Sequence, residues 1–235
     1  MYFYGFDIYY LILVLPCMIF AMIASSSVNS TFKKYSNQIS RRRLTGAQAA
    51  ERVLLANGVR GVRIERVSGH LSDHYDPKAN VIRLSDSVYG NPSTAAIGVA
   101  CHEAGHAVQY AKNYSPIHIR AAIIPITNIG SKLAMPLILL GILLNFLGGF
   151  SYTFVYIGLA CFGLSFVFQL VTLPVEFNAS RRAIQAIESN ELLTSDELSG
   201  AKKTLTAAAM TYVAATAVAL AQLLRLILIF AKHDD

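Results

Sequence analysis

Four apolar segments, each long enough to cross a lipid bilayer, constrain this chain more than any other feature of its sequence. They cover about residues 8–24, 123–147, 150–173 and 207–230. A transmembrane helix needs about 20 mainly apolar residues. Only 14% of the residues are charged, against roughly 25% in a typical soluble domain. The sequence therefore predicts a mainly α, multi-pass membrane protein with four transmembrane helices.

The polar stretches between the spans divide the chain into five predicted segments. These are an N-terminal transmembrane anchor (1–24), a polar α+β part (25–118), a transmembrane hairpin (119–173), a shorter polar segment (174–206) and a C-terminal transmembrane helix (207–235). Only Gly148 and Gly149 separate the apolar runs of the hairpin. Basic residues favour the cytoplasmic side of a span, and three arginines at 41–43 follow the first span. Both polar segments are therefore predicted to be cytoplasmic.

The formal net charge of +6 indicates a lipid surface as a partner more than a nucleic acid. The basic residues cluster beside a hydrophobic span, and no nucleic-acid-binding motif occurs. Arg225 lies near the end of the fourth span, and its charged group is predicted to extend to the membrane interface. The lipid bilayer is thus a predicted partner and nucleic acid is not, while the sequence leaves the oligomeric state open.

Local signals in the first polar part predict two helices and two strands. The sequence Thr-Gly-Ala-Gln at 45–48 fits a capping box at a helix start. Residues 62–65 alternate in polarity, and 81–85 also read as a strand. Asn91-Pro92-Ser93 predicts the start of the next helix, with Pro92 in its first turn. This polar part is therefore predicted to be α+β.

The helix after Ser93 carries the sequence His102-Glu103-Ala104-Gly105-His106. Residues four apart share a helix face, so the two histidines can bind one zinc ion. Glu103 beside them can take a proton from zinc-bound water. The same motif also occurs by chance, as two surface histidines on a solvated helix. Here the flanking residues are apolar, which is typical of a buried active-site helix.

A catalytic zinc ion commonly has three protein ligands, so the motif is one ligand short. Lys112 excludes the longer motif with a third histidine six residues further on. Glu176 is the predicted third ligand, because two spans separate it from the motif and return the chain to the same side. Alternatively, Glu176 only occupies a helix start, where the helix dipole favours a carboxylate. The ligand would then be one of four other residues: His70, His74, Asp76 or His118.

Several further residues are candidates for supporting roles. Ser180 lies one helical turn after Glu176 and could accept a hydrogen bond from a ligating imidazole. A second donor usually helps to stabilise the oxyanion of peptide hydrolysis. The candidates are His74, Tyr75, Tyr110, Arg181 and Arg182. An extended substrate is expected to bind a sheet edge, and a proline at Ile82 or Leu84 is expected to impair cleavage more than zinc binding. The strands could instead only cover the active-site helix.

Two motifs together resemble a known family. The sequences HEAGH at 102–106 and EFNASRRA at 176–183 look like those of the YugP-like bacterial membrane zinc metallopeptidases. The sequence DHYDP at 73–77 and the pair Leu84-Ser85 also fit that pattern, and the resemblance covers most of the chain. The layout is similar to that of the HtpX-like proteases, in which a Glu after a transmembrane hairpin completes the zinc site.

The resemblance implies a zinc-dependent metalloendopeptidase of the HExxH-plus-Glu type, with a zincin-like catalytic part. It implies a location in the bacterial cell membrane but supplies no particular substrate among peptides and proteins, membrane proteins included. The basic residues after the first span predict an active site on the cytoplasmic side. The YugP-like pattern usually has Asp where this chain has Asn178, and HtpX-like chains usually have Asp where it has Ser180. The alternative is a catalytically silent, zinc-binding membrane adaptor. An intact Glu103 argues against an adaptor, since binding zinc requires no base.

Overall fold

The computed structural model describes residues 7–147 and 152–231 and shows a mainly helical chain with one small sheet. Within these ranges a π-helical turn (Tyr10–Val14) precedes the α-helices, which are α1 Leu15–Ser36, α2 Gly46–Ala56, α3 Thr94–Ala111, α4 Ser115–Phe146, α5 Tyr152–Ser189 and α6 Ser195–Ala231. The strands are β1 Arg63–Val67, β2 His74–Asp76 and β3 Val81–Ser85. The fold class predicted from the sequence is confirmed.

Four helical stretches among the described residues are long and apolar enough to cross a membrane. They are Tyr10–Ser36, Ser115–Phe146, Tyr152–Ser189 and Ser195–Phe230. Each extends beyond the predicted apolar run, because polar residues continue the helix past the apolar segment. Thus α5 runs through Pro174 without ending, and α6 begins with Asp196 and Glu197 in its first turn. The predicted turn at Gly148 and Gly149 lies outside the described residues.

The chain divides into two compact units. Ala24–His118 and Pro174–Thr211 form one of them, which we call the polar unit. It contains α2, α3, the sheet and the polar ends of α1, α5 and α6. The rest of the chain forms the apolar unit. Each unit has its own cluster of buried apolar side chains, and the larger cluster surrounds α3 in the polar unit.

In the apolar unit, Arg225 is buried and paired with an acidic side chain. It is 8% exposed, and its Nε donates to Oδ2 of Asp7 at 2.8 Å. The guanidinium also lies 5.4 Å from the ring centroid of Tyr10. The charge of Arg225 is therefore paired within the protein, with an acidic residue that directly precedes the first apolar run. Charges within apolar segments are commonly satisfied by such pairing.

The two predicted helix starts of the polar unit have different outcomes. At α2, the Thr45 side chain accepts from the backbone N–H of Gln48, and the Gln48 side chain accepts from that of Thr45. The capping box is confirmed. At α3, Ser93 is the N-cap, and its hydroxyl accepts from a backbone N–H inside the helix. Pro92 therefore precedes the helix, and its predicted place in the first turn is wrong.

The three strands form a sheet in the order β1–β3–β2, with β3 in the centre. Strand β3 is parallel to β1 and antiparallel to β2. Ile82 and Leu84 of β3 are fully buried. The expectation that a proline at either position would probe a substrate-binding edge is therefore wrong. A proline there would instead remove hydrogen bonds from the middle of the sheet. The edge strands are β1 and β2.

The acidic residues beside and within β2 stabilise the sheet. Asp73 accepts hydrogen bonds from the backbone N–H of Ser85 at 2.7 Å and from its hydroxyl at 3.0 Å. Burial raises the pKa of Asp73, although these hydrogen bonds act in the opposite direction. Asp76 accepts from a guanidinium nitrogen of Arg83 at 2.9 Å and from the backbone N–H of Lys78. Asp73 and Asp76 of the DHYDP motif and Ser85 of the Leu-Ser pair thus make contacts that stabilise the sheet.

Helix α3 is buried on most of its surface, and two glycines allow its neighbours to approach closely. A Cβ added at Gly105 would lie 2.8 Å from the carbonyl oxygen of Ala179 on α5. One added at Gly98 would lie 3.4 Å from the Cβ of Ala201 on α6. At Gly105 a Cβ would force the backbone of α5 to shift, so glycine is required there, whereas at Gly98 it would make an ordinary contact. The close approach at Gly105 brings the HExxH helix against the part of α5 that contains Glu176.

Candidate metal centre

His102 and His106 on α3 meet Glu176 on α5 inside the polar unit. The Nε2 atoms of His102 and His106 lie 3.3 Å and 3.5 Å from the same Glu176 oxygen, Oε2. The two imidazole rings meet edge to face, with centroids 4.7 Å apart. One ligand atom from each of the three residues lies within 4.8 Å of the others. The i,i+4 spacing on α3 places both rings on one helix face, as predicted.

This set of atoms fits a zinc ion. Zinc binds nitrogen and oxygen ligands at about 2.0–2.1 Å in a tetrahedral arrangement, so two such ligands lie about 3.4 Å apart. The nitrogen–oxygen distances of 3.3 Å and 3.5 Å match that separation. Three protein ligands leave one tetrahedral position for water or substrate. The donor set is therefore one that can hold zinc.

Each histidine has a separate hydrogen-bond partner for its other ring nitrogen. Nδ1 of His102 lies 3.1 Å from the hydroxyl of Ser180. Nδ1 of His106 lies 2.9 Å from Oε1 of Gln109, an atom that can only accept. The proton of the neutral His106 ring is therefore on Nδ1, and Nε2 can bind a metal.

Gln109 is the residue of this site that sequence reasoning missed. It is fully buried, and its Nε2 donates to the carbonyl oxygen of Val175 at 2.8 Å and to Oδ1 of Asn178 at 3.0 Å. Oδ1 of Asn178 also accepts from Nε of Arg182 at 2.7 Å. One signal was available, namely a glutamine three residues after His106 on an apolar helix. A buried amide there requires polar partners.

Glu176 raises the proton affinity of the neighbouring imidazole. Burial lowers the pKa of His106, but the hydrogen bond and charge of Glu176, together with the charge of Glu103, outweigh burial and raise it overall. Protons therefore compete with a metal for His106 as the pH falls. Burial also raises the pKa of the Cys101 thiol beside the motif, which disfavours the thiolate form that binds metals.

Glu103 follows His102 directly on α3 and is 8% exposed. In zinc peptidases of the HExxH type, this position carries the general base. Its charge already acts on the cluster, since it contributes to the raised pKa of His106. The structure thus places an acidic side chain beside two potential ligands without making it one of the three clustered ligands.

The structure places the other candidate ligands away from the cluster. His70 packs edge to face on Phe32, and Asp76 is paired with Arg83. His118 packs on the ring of Tyr110 at 5.2 Å. Within the described residues, only His102, His106 and Glu176 form a group able to hold a metal ion. The alternative that Glu176 occupies a helix start is wrong, because it lies deep inside α5.

The remaining candidates for supporting roles are spread over the polar unit. His74 is exposed on β2, with Nδ1 2.8 Å from the carbonyl oxygen of Ser72. The ring of Tyr75 lies 5.7 Å from that of Tyr110, which is on α3 one turn after His106. Arg181 is exposed on α5. Of the candidates for supporting roles, Ser180 contacts a clustered histidine, and Arg182 reaches the cluster only through Asn178 and Gln109.

Four apolar helices, an HExxH helix and a His-His-Glu cluster that this helix forms with a second helix are together typical of membrane zinc metallopeptidases. Residues 10–231 match the family described as "Putative neutral zinc metallopeptidase", and the chain belongs to that family. It is 44% identical over 212 residues to "Putative membrane protease YugP" of Bacillus subtilis (strain 168), which covers 90% of this chain and 92% of the relative. No solved structure matches the chain at a significant level.

These comparisons confirm the family that the sequence motifs resemble. Zinc is the metal of that family, and the donor atoms of the cluster suit it. The name of the Bacillus relative and the four apolar helices agree on a membrane location.

Proposed function

We propose that this protein is a zinc-dependent endopeptidase that hydrolyses peptide bonds at the cytoplasmic side of a bacterial membrane. The observation that carries the proposal is the meeting of three potential ligand side chains with a fourth side chain, the acidic Glu103, directly beside them. Zinc binding alone requires no such base, whereas hydrolysis does. Cleavage of peptides by the purified, zinc-loaded protein, with Glu103→Gln as the reference, tests the proposal.

The roles follow from the contacts in the polar unit. His102, His106 and Glu176 would hold zinc, which supplies a water of lowered pKa and polarises the scissile carbonyl when bound. Glu103 takes a proton from the attacking water and delivers it to the leaving amine nitrogen. Ser180 and Gln109 hold the two imidazoles with Nε2 directed at the cluster.

The substrate in this proposal is a peptide or protein, with membrane proteins included. An extended peptide can add a strand to a free sheet edge through main-chain hydrogen bonds. Among the described strands, β2 is an edge, and its Tyr75 contacts Tyr110 on the helix of the motif. This contact supports β2 over β1 as the edge that receives substrate.

Gln109→Leu is expected to weaken zinc binding by about tenfold to a hundredfold, the usual effect of losing a residue that orients a ligand. The apolar side chain leaves Nδ1 of His106 without its acceptor. Zinc affinity is measured by competition with a chelating dye. Gln109→Glu keeps an acceptor for Nδ1 of His106 and should lose less zinc affinity. Gln185→Leu, at an exposed position, should bind zinc as tightly as the wild type. Unchanged affinity in Gln109→Leu would show that Gln109 does not position His106.

Single cysteines at Ser68 and Ser195 are expected to resist a membrane-impermeant maleimide in intact cells and to react after lysis. Both positions are exposed in the polar unit, and the basic residues after the first span favour the cytoplasm. The background should lack Cys17 and Cys161. A cysteine at Gly149, in the predicted turn on the opposite side, should react in intact cells. Labelling of Ser68 or Ser195 in intact cells would reverse the proposed orientation.

A further inference from the structure

A groove with a volume of about 340 Å³ lies between α5 and α6 in the polar unit. Most of its lining is apolar and comes from one face of each helix, including Phe177 and Ile184 on α5 and Leu205, Ala209 and Met210 on α6. The volume is at the lower end of the range for ligand sites. It therefore suits one or two side chains better than a docked helix.

Ser180 connects this groove to the metal cluster. Its side chain lines the groove, and its hydroxyl lies 3.1 Å from Nδ1 of the ligand His102. The α5 lining begins at Phe177, directly after Glu176, and ends at Gln185. At a rise of 1.5 Å per residue, it lies within about 14 Å of Glu176 along the helix axis. An extended peptide covers about 3.3 Å per residue, so it reaches the groove within about four residues of the cluster.

The groove also carries positive charge. Lys202 lines it but is already paired with Glu188, at 2.8 Å. Arg181 lines it as well, is exposed, and forms no hydrogen bond or ion pair with any residue in the described ranges. A guanidinium in this position suits a carboxylate, which it can bind through two parallel hydrogen bonds.

We propose that the groove between α5 and α6 is a specificity site that takes a large apolar side chain of the substrate, with a neighbouring carboxylate held by Arg181. This proposal rests on the peptidase function and adds the substrate class. The apolar lining explains the preference for a large apolar side chain, and Arg181 explains the preference for a carboxylate. The contact through Ser180 places both preferred residues within about four residues of the scissile bond.

The test is affinity selection from a random peptide library on zinc-loaded Glu103→Gln, which should bind substrate without turnover. The selected peptides should contain Leu, Ile or Phe next to Asp or Glu. Replacing that apolar residue by Ala should weaken binding by about tenfold to a hundredfold. Thr206→Trp fills the groove and should abolish the preference, whereas Lys203→Trp, exposed on α6 and outside the lining, should keep it.

The acidic preference has its own variant pair. Arg181→Gln should lose the preference for Asp and Glu but keep that for large apolar residues, and Lys203→Gln should keep both. Identical selection by Thr206→Trp and its parent would overturn the proposal. So would release of a bound phospholipid by Thr206→Trp with no change in peptide preference. If selection behaves as expected but wild type cleaves none of the selected peptides, the peptidase function fails and the groove remains a peptide-binding site.

Discussion

Glu103→Gln is expected to bind zinc like the wild-type protein while its peptide cleavage falls by about a hundredfold to ten-thousandfold. The amide has nearly the same shape as the carboxylate but cannot accept the proton of the attacking water. The three clustered ligand side chains are unchanged. Zinc content by mass spectrometry and the rate of hydrolysis of a fluorogenic peptide, both on purified protein, measure the two halves of this prediction.

The controls separate loss of the base from loss of the metal. A chelator should abolish wild-type cleavage and added zinc should restore it. Glu51→Gln, at an exposed position on α2, should leave zinc content and cleavage unchanged. If Glu103→Gln cleaves as fast as the wild type, Glu103 is not the base. If both proteins bind zinc and neither cleaves any peptide, the chain is a zinc-binding adaptor.

Glu176→Gln is expected to lose more zinc affinity than the tenfold to hundredfold typical of residues that only orient ligands. The side chain is 3% exposed and lies within 3.5 Å of both histidines. An amide of the same size keeps the packing but removes the negatively charged ligand. Zinc occupancy at limiting metal measures the loss, and circular dichroism with thermal unfolding verifies that the fold is retained.

Two further variants serve as comparisons for the zinc affinity of Glu176→Gln. Ser180→Ala removes the partner of His102 Nδ1 and should lose about tenfold to a hundredfold in zinc affinity. Glu188→Gln removes a carboxylate from the same helix, where it is paired with Lys202, and should bind zinc like the wild type. Full zinc occupancy of Glu176→Gln at limiting metal would contradict the assignment of Glu176 as a ligand.

The features predicted from the sequence depend on local patterns or on the number of membrane spans between two residues. Bilayer-length apolar runs predicted the four long helices, since hydropathy and length are local properties. The spacing of His102 and His106 predicted one shared helix face. Glu176 is distant in sequence, but an even number of intervening spans was enough to place it on the same side as the motif.

The features that sequence reasoning missed depend on partners far away in the chain. The central position of β3 follows from pairing with two strands, and β2, with three residues, is too short to show a pattern. Gln109 gains its role from Val175, 66 residues later. Arg225 is satisfied by Asp7, 218 residues earlier. Composition alone does not indicate which of many polar residues will meet across such separations.

The separation of 74 residues between His102 and Glu176 also affects biosynthesis. The ribosome releases the HExxH helix first, and both helices of the hairpin must be synthesised before Glu176 appears. Gln109 likewise lacks its acceptors on Val175 and Asn178 until that stage. A nascent chain therefore carries two histidines without the third ligand or the orienting contacts. The complete set of three clustered ligands therefore exists only after the hairpin has been synthesised.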